Sequence, residues 1–148
     1  MNIYSENKKA TYDYEVIEKY QAGLVLQGHE VKSIKGGHIN LSGSYVVIRG
    51  NEPYLIGAKV PAYQPKNAPK DYDSLRNRKI LLTKKEIAEL AGSEKNKSLT
   101  IVPISVYNKN RKIKVEVSLV KGKKKRDKRE AIKRRETDRE IRREIKER

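Results

Sequence analysis

Cysteine, tryptophan and phenylalanine are absent from the sequence, and methionine occurs only once. Without cysteine the chain has no disulfide bonds, no cysteine-ligated zinc and no thiol nucleophile, and we expect it to work in the reducing cytoplasm. No apolar run approaches the roughly 20 residues of a membrane-spanning helix, and Met1 to Lys9 do not resemble a secretory signal. An ordinary apolar core must therefore hold the fold together.

What the sequence has in excess is positive charge. Its 148 residues include 35 Lys and Arg against 19 Asp and Glu, which gives a formal net charge of +16. Each phosphate that a Lys or Arg neutralises releases condensed counterions, so a chain this basic predicts a polyanionic partner. Charge alone does not choose between RNA, DNA and an anionic membrane, although the lack of a long apolar run weakens the membrane alternative.

Composition changes sharply near residue 120. Residues 1–120 have regular apolar patterning and predict one domain, whereas residues 121–148 contain 15 basic and 7 acidic residues, a net charge of +8. This tail has too few aliphatic residues to offset the entropy of ordering it, so we expect it to be disordered when free. Pairs spaced i,i+4, such as Glu130 with Arg134, favour a helix once a polyanion neutralises the charge. A solvated electrostatic anchor is the alternative.

Most of the domain predicts strands. Residues 112–119 alternate between polar and apolar side chains, which is the period-2 pattern of a strand with one buried face. Leu99 to Tyr107 predicts a partner strand, with Asn108-Lys109-Asn110 as the hairpin turn between them. Four shorter strand candidates precede this pair: Leu24 to Gln27, Tyr45 to Arg49, Tyr54 to Val60 and Lys79 to Thr83. Short strands at such spacing indicate a small barrel or sandwich.

Three segments predict short helices. Thr83 to Leu90 begins with a capping pattern, in which Thr83 is followed three residues later by Glu86. Tyr12 to Tyr20 is a second candidate. Glu30 to Lys35 has two apolar residues three positions apart, which fits a short helical turn better than a strand. Pro61 to Asp73, with three prolines, predicts a long surface loop.

The residue inventory is poor for catalysis. Only His29 and His38 could act as imidazole bases or ligands, and the sequence has neither a phosphate-binding glycine loop nor a nucleophile elbow. A Mg²⁺-dependent nuclease that gathers Glu30, Asp71 and Asp73 is the enzymatic alternative. The Lys and Arg residues beside the two aspartates favour solvated charges instead. We expect a binding protein with no enzymatic activity, no metal and no cofactor.

Four short motifs occur in order along the chain. They are Asn7-Lys8-Lys9-Ala10 with Asp13-Tyr14, Ala22-Gly23-Leu24-Val25-Leu26 with His29-Glu30-Val31-Lys32-Ser33-Ile34-Lys35-Gly36-Gly37, Arg78-Lys79-Ile80-Leu81-Leu82, and Gly122-Lys123-Lys124 with Asp127-Lys128-Arg129. Together they resemble the small protein B (SmpB) family, also called the SsrA-binding or tmRNA-binding proteins. The resemblance covers nearly the whole chain, and the ordered set is far more specific than any single motif.

The resemblance implies an oligonucleotide-binding-type antiparallel β-barrel with short peripheral helices, which binds the tRNA-like domain of transfer-messenger RNA (tmRNA, or SsrA RNA). In that family the protein stands for the anticodon arm of a tRNA. Elongation factor Tu joins through the aminoacyl-tmRNA complex, and the protein and tmRNA together reach the vacant A site of a stalled ribosome. There the protein contacts small-subunit RNA at the decoding centre. The ribosome is freed and the nascent peptide is tagged, a process called trans-translation. No DNA or membrane partner is implied, and we expect a monomer. A general ribosomal-RNA or structured-RNA-binding barrel is the alternative.

By the same resemblance, four residues of the domain are tied to tmRNA binding: Glu30, Lys32, Leu81 and Lys114. Glu30 would accept hydrogen bonds from a base amino group or a ribose hydroxyl, or would otherwise form a salt bridge with Lys32. Leu81 could equally belong to the core, whereas Lys114 lies on the polar face of its predicted strand and could reach a phosphate.

The tail would act on the ribosome, at the decoding centre and in the empty mRNA channel. The resemblance assigns this role to Gly122, Lys123, Lys124, Asp127, Lys128 and Arg129. Arg126 stands where relatives usually carry an aromatic residue or a histidine that could stack on a ribosomal base. A planar guanidinium can stack as well.

Overall fold

Antiparallel strands are the main elements of the structure, a computed structural model that describes residues 2–64 and 69–122. The elements in chain order are β1 (Asn2–Glu6), α1 (Lys8–Asp13), β2 (Tyr14–Leu24), α2 (Gly28–Lys35), β3 (Tyr45–Arg49), β4 (Glu52–Ile56), β5 (Arg78–Leu81), α3 (Lys84–Glu94), β6 (Leu99–Lys109) and β7 (Lys112–Gly122). The predicted class, mainly β with short helices, is confirmed.

Strand pairing closes six of the strands into a ring. From β6 the order runs through β3, β4, β5, β2 and β7 and returns to β6. The ladders that join β7 to β2 and to β6 are long, whereas β3 meets β6 at Val46 opposite Ile101. β1 pairs with the same edge of β6 further along, opposite residues 105–108. A sheet closed in this way is a small barrel, and its finer assignment to the oligonucleotide-binding type stays a prediction.

The apolar face predicted for β7 lies inside the barrel. Val115 and Val117 are fully buried in the main core. Ser118, which the alternation placed in solvent, is buried as well. The reason is that α1 covers the outer surface at this end of the sheet, where its Ala10 packs with Val120 in a second, smaller apolar cluster.

Two of the three predicted helices are confirmed and one is wrong. Thr83 caps α3 and exchanges hydrogen bonds with Glu86, as the capping pattern predicted, although α3 extends further than expected. α2 contains the helical turn predicted at Glu30 to Lys35. The helix predicted at Tyr12 to Tyr20 is replaced by the end of α1, which Asn7 caps, and then by β2. The long ladder between β2 and β7 outweighs the weak local helical preference of this segment.

Other strands differ from prediction mainly at their ends. β3 has its predicted span, and β1 was not predicted at all. The segment Leu24 to Gln27, predicted as a strand, is mostly the loop between β2 and α2. The turn between β6 and β7 is Asn110-Arg111 rather than residues 108–110. Both turn residues have positive φ, 52° and 64°, as in the two-residue hairpin turns that match strand twist.

The last strand extends beyond the predicted domain end. β7 continues to Gly122, which lies opposite Tyr14 of β2, so Lys121 and Gly122 belong to the sheet. The remaining tail residues of the prediction lie outside the described residues: Lys123, Lys124, Arg126, Asp127, Lys128 and Arg129.

Candidate nucleic-acid interface

A shallow groove opens where β2, β5 and β7 meet α2. Its volume is about 360 Å³. Gly23 of β2 lines the groove and is paired with Leu81 of β5 on one side and with Lys114 of β7 on the other. Residues directly opposite each other in antiparallel strands point to the same face. The structure therefore brings together two of the residues that the resemblance ties to RNA, on either side of a glycine. We call this surface the basic groove.

The floor of the basic groove is apolar. Leu24, Leu26, Val31 and Ile113 line it together with Leu81. Leu81 is 53% exposed, so the alternative that placed it in the core is wrong. Leu24 is buried and the other three are half-buried, so Leu81 presents most of the apolar surface at this concave site. Exposed apolar surface of this kind is typical of a ligand or partner surface.

Gly23 allows β2 and Leu81 to approach closely. A Cβ atom added to Gly23 would stand 3.1 Å from the Cβ atom of Leu81, which is tighter than ordinary van der Waals contact. Sequence reasoning did not single out this residue as part of the site. A glycine inside a strand was the available signal, because it often marks a close approach of backbone or ligand.

Four cations line the same groove. They are Lys35 at the end of α2, Arg111 in the β6–β7 turn, and Lys112 and Lys114 of β7. No acidic residue is among the described residues that line it. A concave surface with apolar walls and charge of one sign concentrates the electrostatic field and attracts anions such as phosphate. Lys114, which was predicted on the polar face of its strand, thus lies on the rim of the basic groove.

Arg111 has a backbone conformation that suits glycine. Its φ is +64°, and an ordinary side chain at such a position is unfavourable by about 1 kcal/mol. We therefore expect Arg111→Gly to raise the free energy of unfolding by about 0.5–1 kcal/mol in urea titrations, while it removes a cation from the basic groove. Lys109→Gly, in the adjoining strand, should lower the free energy of unfolding by a similar amount. A destabilised R111G variant would contradict the strain argument.

A buried ion cluster centred on Glu30 lies on the inner side of α2. The side chains of Glu30 and Arg78 have no exposed surface. Glu30 Oε2 accepts hydrogen bonds from Arg78 Nε at 2.8 Å and from Arg76 Nε at 3.0 Å, and Oε1 accepts from Arg76 Nη2. The backbone N–H of Gln27 donates to Oε1 at 2.8 Å, and the Tyr72 hydroxyl lies 3.0 Å from Oε2. One carboxylate thus receives two guanidinium groups, that of Arg76 from the loop before β5 and that of Arg78 from the first residue of β5.

These bonds leave Glu30 no free acceptor. A carboxylate has about four lone-pair sites, and four N–H groups occupy them. A direct hydrogen bond from RNA to Glu30, as the resemblance implies, has no acceptor left in this structure. The alternative salt bridge with Lys32 is wrong, because Arg76 and Arg78 are the partners. A role of Glu30 in RNA binding stays a prediction. Burial alone would raise the pKa of Glu30, but the hydrogen bonds from Arg76, the Gln27 N–H and Arg78 outweigh it and lower the pKa from 4.5 to about 2.

The Glu30 cluster also fastens the loop that precedes β5. Arg78 donates to the carbonyl of Ala58 at 2.9 Å and to that of Ser74 at 3.1 Å. The Tyr72 hydroxyl lies 2.7 Å from the carbonyl oxygen of Val60, and the Val60 N–H donates to Ser74 at 3.0 Å. The loop is therefore held against the chain that follows β4, with its position set by a buried arginine.

Lys32 lies outside the basic groove. It is exposed, and it is not among the residues of α2 that line the groove, which are Val31 and Lys35. Its Nζ atom lies 6.0 Å from the centre of the Tyr63 ring. Of the four residues predicted to bind RNA, Leu81 and Lys114 share one surface, while Lys32 and the buried Glu30 lie apart from it.

The carboxylates of the nuclease alternative do not form a metal site. Within residues 2–64 and 69–122, no group of three or more His, Asp or Glu side chains could hold a metal ion. Glu30 is bound by two arginines, and Asp73 accepts a hydrogen bond from the N–H of Leu75. The same part of the chain contains no helix that is both long and apolar enough to cross a membrane.

The closed ring of strands and its cation-lined groove define a basic β-barrel of a nucleic-acid-binding kind. Residues 4–147 match the family described as SmpB protein. This chain belongs to the SmpB family.

Proteins that resemble it over nearly their whole length are SsrA-binding proteins of bacteria. The one from a Sulfurihydrogenibium species is 50% identical over 139 residues, which cover 94% of this chain and 91% of that protein. The one from Enterococcus faecalis is 46% identical, covering 97% and 93%. The one from Thermosynechococcus vestitus is 42% identical, covering 100% and 97%. A chain in the solved structure "tmRNA-SmpB: a journey to the center of the bacterial ribosome" is similar with a TM-score of 0.68 and 37% identity, over 86% of this chain and 93% of that one.

Proposed function

We propose that this chain is an SsrA-binding protein, which binds tmRNA through its tRNA-like domain and acts with it in trans-translation on stalled ribosomes. The relatives are SsrA-binding proteins, which supports tmRNA as the RNA that this chain binds. The similar chain in the tmRNA–SmpB structure supports the ribosome as the place where it acts. The observation that carries the proposal is the basic groove, where Leu81, Gly23 and Lys114 lie side by side across three strands.

The groove binds RNA by two kinds of contact. Its rim cations, among them Lys112 and Lys114, pair with backbone phosphates, and each such contact releases counterions. Its apolar floor around Leu81 packs against a ribose or an unstacked base, which structured RNA presents at loops. Phosphate contacts supply affinity and the shape of the floor selects the RNA, so the arrangement favours a folded loop over a uniform duplex.

In this proposed function the chain binds RNA in the cytoplasm and catalyses no reaction. It acts as a monomer and needs no metal or cofactor. The further partners are small-subunit ribosomal RNA at the decoding centre and elongation factor Tu, which joins through the aminoacyl-tmRNA complex. The contact with the decoding centre and the mRNA channel is assigned to the tail residues Gly122, Lys123, Lys124, Asp127, Lys128 and Arg129. The net charge of +8 on residues 121–148 suits an RNA-lined channel.

A competition assay tests the groove. The full chain should bind the tRNA-like domain of tmRNA at near-physiological salt in the presence of excess bulk tRNA. Lys114→Ala should weaken that binding roughly tenfold and reduce the slope of log affinity against log salt by about 1, because one charge-assisted phosphate contact is lost. Leu81→Ala should weaken binding to a similar extent and leave the salt slope unchanged, since it removes apolar contact only.

Matched variants outside the groove serve as controls. Lys97→Ala removes an exposed cation between α3 and β6, and Ile3→Ala truncates an apolar side chain on β1 that is 55% exposed, close to the exposure of Leu81. Neither should change affinity by more than about twofold. If bulk tRNA displaces the chain as well as the tRNA-like domain does, the chain is a general structured-RNA-binding barrel and the proposed function is wrong.

A further inference from the structure

α2 has two exposed flanks, and the basic groove uses only one of them. Val31 and Lys35 face the groove, while Glu30 and Ile34 are buried beneath the helix. His29, two residues from Val31, lies on the other side of the helix, and its ring packs edge-to-face with that of Tyr72, with 4.4 Å between the ring centroids. Tyr72 belongs to the loop that carries Arg76, which also binds the Glu30 carboxylate. This second flank holds a cation that the groove does not account for.

Arg76 is held so that one edge of its guanidinium group remains available. Nε and Nη2 both donate to Glu30, which engages one edge of the planar fork. The two N–H groups of Nη1 have no partner among residues 2–64 and 69–122, and the side chain is 26% exposed. A guanidinium bound to a carboxylate on one edge can still donate two parallel hydrogen bonds from another edge, which is the geometry that a phosphate accepts.

The cluster contains more positive charge than its own stability requires. Glu30 carries one negative charge, and the completely buried Arg78 already pairs with it at 2.6 Å. Arg78 uses its other donors on the carbonyl groups of Ala58 and Ser74. Arg76 adds a second positive charge at the surface, and the cluster is left with a net charge of +1. A cation fixed in this way meets an anion with little loss of side-chain entropy.

We propose that Arg76 binds a backbone phosphate of the RNA on the flank of α2 opposite the basic groove, and that Glu30 is the positioning residue for this contact. This inference rests on the proposed function and extends it to a second RNA contact. Glu30 then influences RNA binding without touching RNA, because its lone pairs are all occupied and its effect passes through the guanidinium of Arg76.

The test is a set of substitutions measured by binding to the tRNA-like domain over a range of salt concentrations. Arg76→Gln should weaken binding about tenfold and reduce the salt slope by about 1. Arg76→Lys keeps the charge but loses the fork, so its affinity should lie between the wild type and R76Q, with the salt slope of the wild type. Arg49→Gln, which removes an exposed arginine at the end of β3, is the matched control and should leave both quantities unchanged.

The role of Glu30 is tested in two backgrounds. Glu30→Gln should weaken RNA binding in the wild-type chain but have no further effect in the Arg76→Gln chain, provided that circular dichroism shows both to be folded. Equal losses in both backgrounds would mean that Glu30 acts on RNA binding independently of Arg76, and the positioning role would be wrong. If E30Q does not fold, the affinities and salt slopes of R76Q and R76K decide the proposal by themselves.

Failure of this inference can be told from failure of the proposed function. If the wild-type chain prefers the tRNA-like domain and Lys114→Ala weakens that binding, the proposed function holds. An unchanged affinity and salt slope for R76Q would then overturn only the Arg76 contact. If the wild-type chain shows no preference for the tRNA-like domain over bulk tRNA, the proposed function itself fails.

Discussion

Replacing Glu30 with alanine is expected to lower the free energy of unfolding by about 3–5 kcal/mol. Arg78 has no exposed side-chain surface, so loss of its carboxylate partner leaves an uncompensated guanidinium charge inside the protein. Arg76 can turn toward water because it is partly exposed. Arg78 cannot, since it is fixed by the carbonyl groups of Ala58 and Ser74. The charge left behind, more than the contacts of the deleted side chain, sets the size of the effect.

Urea unfolding at neutral pH, followed by circular dichroism, measures this loss. Glu52→Ala is the matched control, because Glu52 also pairs with a cation, Lys79 at 3.3 Å, but both side chains are exposed. Its loss should be much smaller, because water screens an exposed ion pair. Glu30→Gln, which keeps the volume and can retain some hydrogen bonds, should fall between the two. Similar losses for E30A and E52A would mean that burial does not govern the strength of the Glu30 cluster.

The parts of the fold that local sequence could predict are those where local pattern and tertiary contacts agree. The alternation of β7 and the capping box of α3 are both set within a few neighbouring residues, and both are confirmed. β2 is different, because its sequence is compatible with a helix and becomes a strand only through its ladder with β7, about a hundred residues away along the chain. β1 likewise exists because β6 offers it an edge.

In the candidate site, too, some features follow from local sequence and others depend on contacts between distant residues. Lys114 could be placed on the polar face of a strand from alternation alone, whereas the exposure of Leu81 depends on where β5 ends beside Gly23. The Glu30 cluster joins residues 46 and 48 positions apart. The sequence suggested solvated charges for the basic residues around Asp73, yet Arg78 is completely buried. Local charge patterns carry no information about such a partner, because burial is decided by the packing of α2 against the barrel.

The buried carboxylate also predicts how stability depends on pH. In the folded protein the hydrogen bonds from its arginine partners hold the pKa of Glu30 at about 2, against an ordinary value of 4.5. The unfolded chain therefore takes up a proton at this group at higher pH than the folded chain does. The stabilisation is fully present above about pH 5 and is lost as the pH falls toward 2. The difference between the two pKa values corresponds to a loss of about 3 kcal/mol across that range.

Urea titrations of the wild type and of Glu30→Gln at several pH values between 5 and 2 test this dependence. The difference in free energy of unfolding between the two proteins should be largest at pH 5 and should shrink by about 3 kcal/mol as the pH approaches 2. The reason is that protonated Glu30 in the wild type is neutral, as the glutamine of the variant is. Other carboxylates, including Glu52, whose pKa is lowered by hydrogen bonds from Tyr54 and Lys79, titrate in both proteins and cancel in the difference. A difference that stays constant with pH would mean that the pKa of Glu30 is the same in the folded and unfolded chains, so that Arg76 and Arg78 do not favour its charged form.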